Sequence, residues 1–155
     1  SILGAKIGCP DTPVIGFAGD GAFGISMNEM SSCAREEWPA ITMVIFRNYQ
    51  WGAEKRNTTL WFDNNFVGTE LDPELSYAKV ADACGLKGVT VRTMEETTNA
   101  IKQSCEDQKK GLTTFIEVIL NQELGEPFRR DAMKKPVRVA GIDKKDMKPQ
   151  KSLNG

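Results

Sequence analysis

Two unbroken apolar runs stand out along the chain, PVIGFA at residues 13–18 and ITMVIF at residues 41–46. Runs of this length without polar alternation suit parallel strands buried on both faces. Between them Met27, Met30, Cys33 and Ala34 recur at helical spacing. That predicts a crossover helix over residues 24–35, closed by residues 36–39, and hence a strand–helix–strand unit. Residues 47–72 carry two Trp, several Asn and many charges with no sustained period. They read as a long connection, of the kind that usually carries function.

Periodicity then resumes. Asp72-Pro73 predicts a helix start with Pro in the first turn, and Tyr77, Val80, Ala81 and Cys84 give its apolar face up to Gly85. Residues 89–91 form a short strand. Thr93 and Glu96 match a capping box ahead of a helix that reaches Lys109-Lys110 and stops at Gly111. TTFIEVIL, residues 113–120, is the last strand. The order is β-α-β, long loop, α-β-α-β. It places the chain in the α/β class, a parallel sheet with helices on both faces. One domain is expected over residues 1–120. Residues 121–155 are a basic tail, with nine Lys or Arg against five acids. Its plain reading is a solvated or subunit-covering segment; its sharper one is an anion-contacting segment.

Composition narrows the function classes. A net charge of −1 over 155 residues gives no pull toward nucleic acid or an anionic membrane. No apolar run reaches the ~18 residues of a membrane span, and no signal-peptide pattern is present. A start at Ser1, directly in an Ile-Leu-Gly-Ala segment, reads as a start inside a larger protein. Four cysteines without a C-x-x-C pair read as buried free thiols of a reducing cytoplasm. The absence of histidine removes Ser-His-Asp and Cys-His nucleophilic sites and histidine-based zinc sites.

Candidate chemistry gathers at GDGAFG, residues 19–24, where the first strand meets the helix. The stretch matches the dinucleotide pattern G-x-G-x-x-G. Two features oppose that reading. The second strand ends Phe46-Arg47-Asn48 without the acid that would hold a ribose. Moreover, Asp20 lies in the loop that should approach a pyrophosphate, and two like charges about 4 Å apart would cost ~4 kcal/mol. A divalent cation reverses the sign. Mg²⁺ takes six oxygens, commonly one or two from protein with phosphates and water completing the shell. Asp20 supplies a charged ligand. At the neighbouring strand end Asn48 offers a carboxamide oxygen and Gln50 a main-chain carbonyl. Gly21 and Ala22 lack bulk, so their N–H groups can approach a diphosphate at the helix N-terminus.

Gly19-Asp20-Gly21 followed after 26 residues by Asn48 resembles the signature of thiamine-diphosphate enzymes. Many members have Asn-Asn where this chain has Asn48-Tyr49. Asn48-Tyr49-Gln50 resembles the form found in the acetolactate synthase and pyruvate oxidase branch. The segments GDGAFGISMNEMSSCAREEWPAITMVIFRNYQWGAEKRN, FVGTELDPELSYAKVADACG and ELGEPFRRDAMKKPVR resemble the sulfoacetaldehyde acetyltransferase family. Residues 57–62, NTTLWF, depart from that family's form.

The resemblance implies a C-terminal diphosphate-binding module that uses thiamine diphosphate and Mg²⁺. It implies conversion of sulfoacetaldehyde and phosphate to acetyl phosphate and sulfite, as in taurine degradation. Cofactor contacts are implied for Gly19, Asp20, Gly21, Ala22, Phe23, Asn48, Gln50, Trp51 and Gly52, with Asp20, Asn48 and Gln50 on the metal. Lys55 and Arg56 are candidates for a sulfonate or phosphate, or else a solvated pair. Trp51, Trp61 and Phe62 either wall off the thiazolium or pack under the loop. The activating Glu is expected on an N-terminal module of a partner subunit, outside this chain. A cytoplasmic homodimer or homotetramer follows, and this chain alone would be inactive. Two alternatives stay open. One is another thiamine-diphosphate enzyme, acetolactate synthase-like or sulfopyruvate decarboxylase-type. The other is a non-catalytic or dinucleotide-binding module.

Overall fold

In the computed structural model, residues 1–122 are described. They divide into two compact units, 1–51 with 70–122, and 52–69, the described part of the second. The basic tail expected at 121–155 lies, from residue 123 on, outside the described residues.

The first unit holds the sheet. Its elements in chain order are α1 (Ile2–Gly8), β1 (Ile15–Gly19), α2 (Asp20–Ile25), α3 (Glu29–Cys33) and β2 (Thr42–Arg47). After α4 (Gly52–Trp61), which lies in the second unit, come α5 (Tyr77–Ala83), β3 (Lys87–Val91), α6 (Met94–Lys109) and β4 (Thr114–Ile119). All four strands are parallel, in the order β1-β2-β4-β3. The runs at 41–46 and 113–120 become the central strands β2 and β4, where Val44, Ile45 and Ile116 are fully buried. The run at 13–18 is not buried on both faces as expected: it becomes the edge strand β1, whose Phe17 is exposed.

Each face of the sheet has its own core. Phe23, Met30, Ile41, Ile45, Tyr77, Ala81 and Phe115 form one cluster, built from α2, α3 and α5 against the sheet. Val44, Val91, Ile116 and Val118 form the other, with Ala100 and Ile101 of α6 packed on it. Burial of these side chains is the main favourable term, worth about 25 cal/mol for each Å² of apolar surface removed from water. The capping box of α6 is present: the Thr93 hydroxyl accepts from the Glu96 N–H, and the Glu96 carboxylate accepts from the Thr93 N–H. Gly85 and Gly111, at φ +80° and +76°, end α5 and α6 in the left-handed region that glycine adopts without penalty.

Several expectations need correction. The crossover is two short helices rather than one, and the first begins at Asp20, inside the glycine loop. Residues 26–28 separate them, and Phe23 of the first and Met30 of the second lie in the same core. Asp72-Pro73 opens a turn, with Asp72 Oδ1 accepting from the Glu74 N–H. The helix itself starts after Ser76, whose hydroxyl caps the Lys79 N–H. The long connection contains α4, where Ala53, Glu54, Lys55 and Arg56 supply helix propensity without an apolar face. All four cysteines are free, but only Cys33 is buried and Cys9 is exposed. No helix among the described residues is long and apolar enough to cross a membrane.

Candidate functional site

The site grows from the pairing of β1 with β2. Gly19 lies opposite Phe46 in register, so the loops leaving both carboxyl ends emerge side by side. Gly19 is extended and Asp20 begins α2 at once, which turns the Asp20 side chain inward; it is 3% exposed. Its Oδ1 accepts from the Gly21 N–H at 2.9 Å and its Oδ2 from the Tyr49 N–H at 2.7 Å. The Asp20 carbonyl accepts from the Tyr77 hydroxyl at 3.0 Å. No cation pairs with the carboxylate among the described residues. A buried carboxylate with only neutral donors carries a desolvation cost that a bound cation offsets.

Asn48 and Gln50 flank the residue that bonds Asp20. The half-buried Asn48 carboxamide has no hydrogen-bond partner among the described residues. Gln50 is buried, its Nε2 donating to the Gln122 carbonyl at 3.0 Å while its Oε1 has no partner. A bridge to Glu70 steadies this turn through the Leu71 N–H and the Tyr49 carbonyl, 2.9 Å apart. Carboxylate, carboxamide and main-chain carbonyl are hard oxygen donors, a set that suits Mg²⁺ better than a soft metal. Among the described residues no group of three His, Cys, Asp or Glu is placed to hold a metal ion. Any metal here relies on this mixed set.

The remaining candidates divide. Gly21 is held small by Trp51: a Cβ there would stand 3.3 Å from the indole Cδ2. Its N–H is turned onto Asp20. Ala22 is exposed beside it. The Phe23 side chain belongs to the core, edge-on to Tyr77 at 5.3 Å and tilted on Phe115, so only its backbone remains for a ligand. Trp51 packs its ring on Gly21, whereas Trp61 and Phe62 are exposed in the second unit. Gly52, Lys55 and Arg56 lie on α4 in that unit, where Lys55 Nζ sits 5.5 Å from the Phe66 ring.

Behind the loops lies a charged network that sequence reasoning passed over. Arg47 and Glu117, 4% and 1% exposed, form an ion pair at 2.6 Å. Glu117 also accepts from Ser76 Oγ, the Tyr77 N–H and Thr90 Oγ1. Burial pushes its carboxyl up, but the bonds from Ser76, Arg47 and Tyr77 outweigh that and hold its pKa below the usual glutamate range. Burial, then the Asp20 charge, pushes the Tyr77 phenol up. The sequence held half of a signal: Arg47 closes one apolar run and Glu117 interrupts another, and a buried charge requires a partner, but which strand supplies it is set by the strand order.

Comparison with known proteins gives a consistent set. Residues 1–118 match the family model described as thiamine pyrophosphate enzyme, C-terminal TPP binding domain. A probable sulfoacetaldehyde acetyltransferase of Rhizobium meliloti is 78% identical over 153 residues, covering 99% of this chain and 26% of that protein. The sulfoacetaldehyde acetyltransferase of Roseovarius nubinhibens is 70% identical over 150 residues, covering 97% and 25%. Among solved structures, a thiamine diphosphate-dependent 4-hydroxybenzoylformate decarboxylase of Rhodococcus jostii superposes with a TM-score of 0.70 at 27% identity. It covers 80% of this chain and 23% of that one. The chain thus spans about a quarter of the length of the curated relatives it matches.

Proposed function

We propose, for a chain that belongs to the thiamine pyrophosphate enzyme family as its C-terminal TPP-binding domain, that it supplies the Mg²⁺–diphosphate site of a sulfoacetaldehyde acetyltransferase. The whole enzyme would convert sulfoacetaldehyde and phosphate to acetyl phosphate and sulfite, in the cytoplasm. The observation that carries the reading is Asp20. It is a buried carboxylate without a cationic partner among the described residues, placed where two parallel strands end. Relatives at 78% and 70% identity that bear the acetyltransferase name support the choice of reaction.

In this reading Asp20, the Asn48 carboxamide and the Gln50 main-chain carbonyl hold the metal. Thiamine diphosphate, when bound, supplies the carbanion chemistry that the side chains of this domain lack. The residues of this chain bind and orient. Tyr49 and Gly21 fix the Asp20 carboxylate by their N–H groups. The Trp51 ring packs on Gly21 and leaves little room for a side chain there. Gly19, Ala22 and the Phe23 backbone border the diphosphate, and Gly52 continues the turn into α4. Lys55 and Arg56 offer positive charge to the sulfonate or the acceptor phosphate. The group that activates the cofactor comes from outside this chain, in a homodimer or homotetramer with its site between subunits.

Two measurements on the intact enzyme test this. Sulfite release from sulfoacetaldehyde should require thiamine diphosphate, Mg²⁺ and phosphate; cofactor binding without sulfite release would sink the substrate assignment. Asp20→Asn should weaken Mg²⁺-dependent cofactor binding about 100-fold or more, beyond the 10–100-fold typical of an outer-sphere partner. Its unfolding midpoint should hold or rise, because a buried charge is removed. Unchanged binding would place the metal elsewhere.

A further inference from the structure

Tyr49 sits between Asn48 and Gln50 with φ at +61°. A tyrosine in the left-handed region loses roughly the free energy of a tenfold change in affinity. Such a residue persists only where its surroundings hold it, and its place is commonly functional. The conformation has a visible consequence. It aims the Tyr49 N–H at Asp20 Oδ2, 2.7 Å away, and the Tyr49 carbonyl at the Leu71 N–H.

What holds Tyr49 is Arg47, two residues earlier. The guanidinium carbon lies 4.5 Å from the Tyr49 ring centroid, a cation–π distance. Arg47 has little freedom of its own. Its Nη1 donates to Glu117 at 2.6 Å, and its Nη2 to the Pro73 carbonyl at 3.0 Å and the Asp72 carbonyl at 3.3 Å. Glu117 also takes the Tyr77 N–H, and the Tyr77 hydroxyl holds the Asp20 carbonyl. Beside the local bond from the Gly21 N–H, the two other bonds to Asp20, from the Tyr49 N–H and the Tyr77 hydroxyl, therefore lead back to the Arg47–Glu117 pair.

We propose that Arg47 and Tyr49 are a positioning pair for the metal carboxylate. Arg47, clamped by Glu117, stacks on the Tyr49 ring and keeps its backbone left-handed, and this fixes Asp20 for a divalent cation. The inference rests on the Mg²⁺ reading of the site. A planar guanidinium is needed for the stack and the fork of bonds together, so lysine is not its equal.

The test is calorimetric titration of Mg²⁺ into the intact enzyme with saturating thiamine diphosphate, beside unfolding midpoints. Tyr49→Leu, which loses the stack but retains the left-handed strain, should bind Mg²⁺ about tenfold more weakly. Tyr49→Gly, which adopts that conformation freely, should stay within about threefold of the parent. Arg47→Lys should lose about tenfold beside Tyr49 and no more than threefold beside Tyr49→Gly. A Tyr49→Leu enzyme with a lowered midpoint and unchanged Mg²⁺ affinity overturns the proposal. So does a Tyr49→Gly loss as large as that of Tyr49→Leu. If Arg47→Lys fails to fold, the two Tyr49 variants decide alone. Diphosphate binding by the parent enzyme without Mg²⁺ would instead overturn the metal reading, and this inference with it.

Discussion

Glu117 carries more of the structure than its position in an apolar strand suggests. It receives Arg47, Ser76 Oγ, Thr90 Oγ1 and the Tyr77 N–H, and so joins β4 to β2, β3 and the start of α5. Glu117→Gln would leave Arg47 buried without a counter-charge, and breaking such a pair costs about 3–5 kcal/mol. Chemical unfolding at neutral pH should read that loss. The pH dependence has a definite sign. The folded pKa of Glu117 lies below its unfolded value, so its stabilisation is complete at neutral pH. It disappears as pH falls from the ordinary glutamate range through the lower, folded value. The variant should therefore show a flatter acid limb; an unchanged limb would mean the carboxyl is not paired in solution. At this scale the nearness of Asp20 to the second strand end was legible, since both strand ends lie at one edge of a parallel sheet. Tyr49 was not, because nothing in its neighbours announces a positive φ.

Among the elements, the close approach of α5 to β3 is decided by one glycine. A Cβ on Gly88 would lie 2.0 Å from the Ala78 carbonyl oxygen, and backbone cannot yield as a side-chain tip can. Gly88→Ala should push α5 off the sheet and destabilise by about 1–3 kcal/mol or more, read as a lowered unfolding midpoint. Because Tyr77 opens α5 and holds the Asp20 carbonyl, the proposed Mg²⁺ site should weaken as well, read as a lower Mg²⁺ affinity of the intact enzyme. The capping box of α6 and the apolar face of α5 were readable from local spacing. α4 was not, as its sequence offers propensity without periodicity. The split between α2 and α3 was hidden for another reason. Met27, Met30 and Cys33 keep helical spacing even across the break, because both short helices face one core.

Over the whole sheet, Gln108 near the end of α6 ties together residues far apart in sequence. Its Oε1 accepts from the Val14 N–H, and its Nε2 donates to the Val14 carbonyl and to Thr42 Oγ1. Opposite it, Lys87 and Asp107 pair at 2.6 Å, a bond from Lys87 that lowers the Asp107 carboxyl. α6 is thus pinned to both sides of the sheet. Gln108→Leu keeps the volume but strands the Val14 N–H, at about 1–3 kcal/mol. Thermal unfolding should register the loss, and amide exchange at the start of β1 should quicken. Exchange confined to α6 would contradict the clamp.

By itself the sequence determined the class of the sheet, the parallel strands and the place of the glycine loop at a strand end. These follow from local pattern, since buried strands must be apolar and a glycine-rich stretch after such a run ends the strand. Only tertiary structure decided that β4 lies between β2 and β3, which brings Glu117 to Arg47. Only tertiary structure set Tyr49 left-handed between Arg47 and Asp20. Contacts between residues 70 positions apart leave no local signature. They form because a buried charge accepts whichever partner the packing of the strands brings within reach.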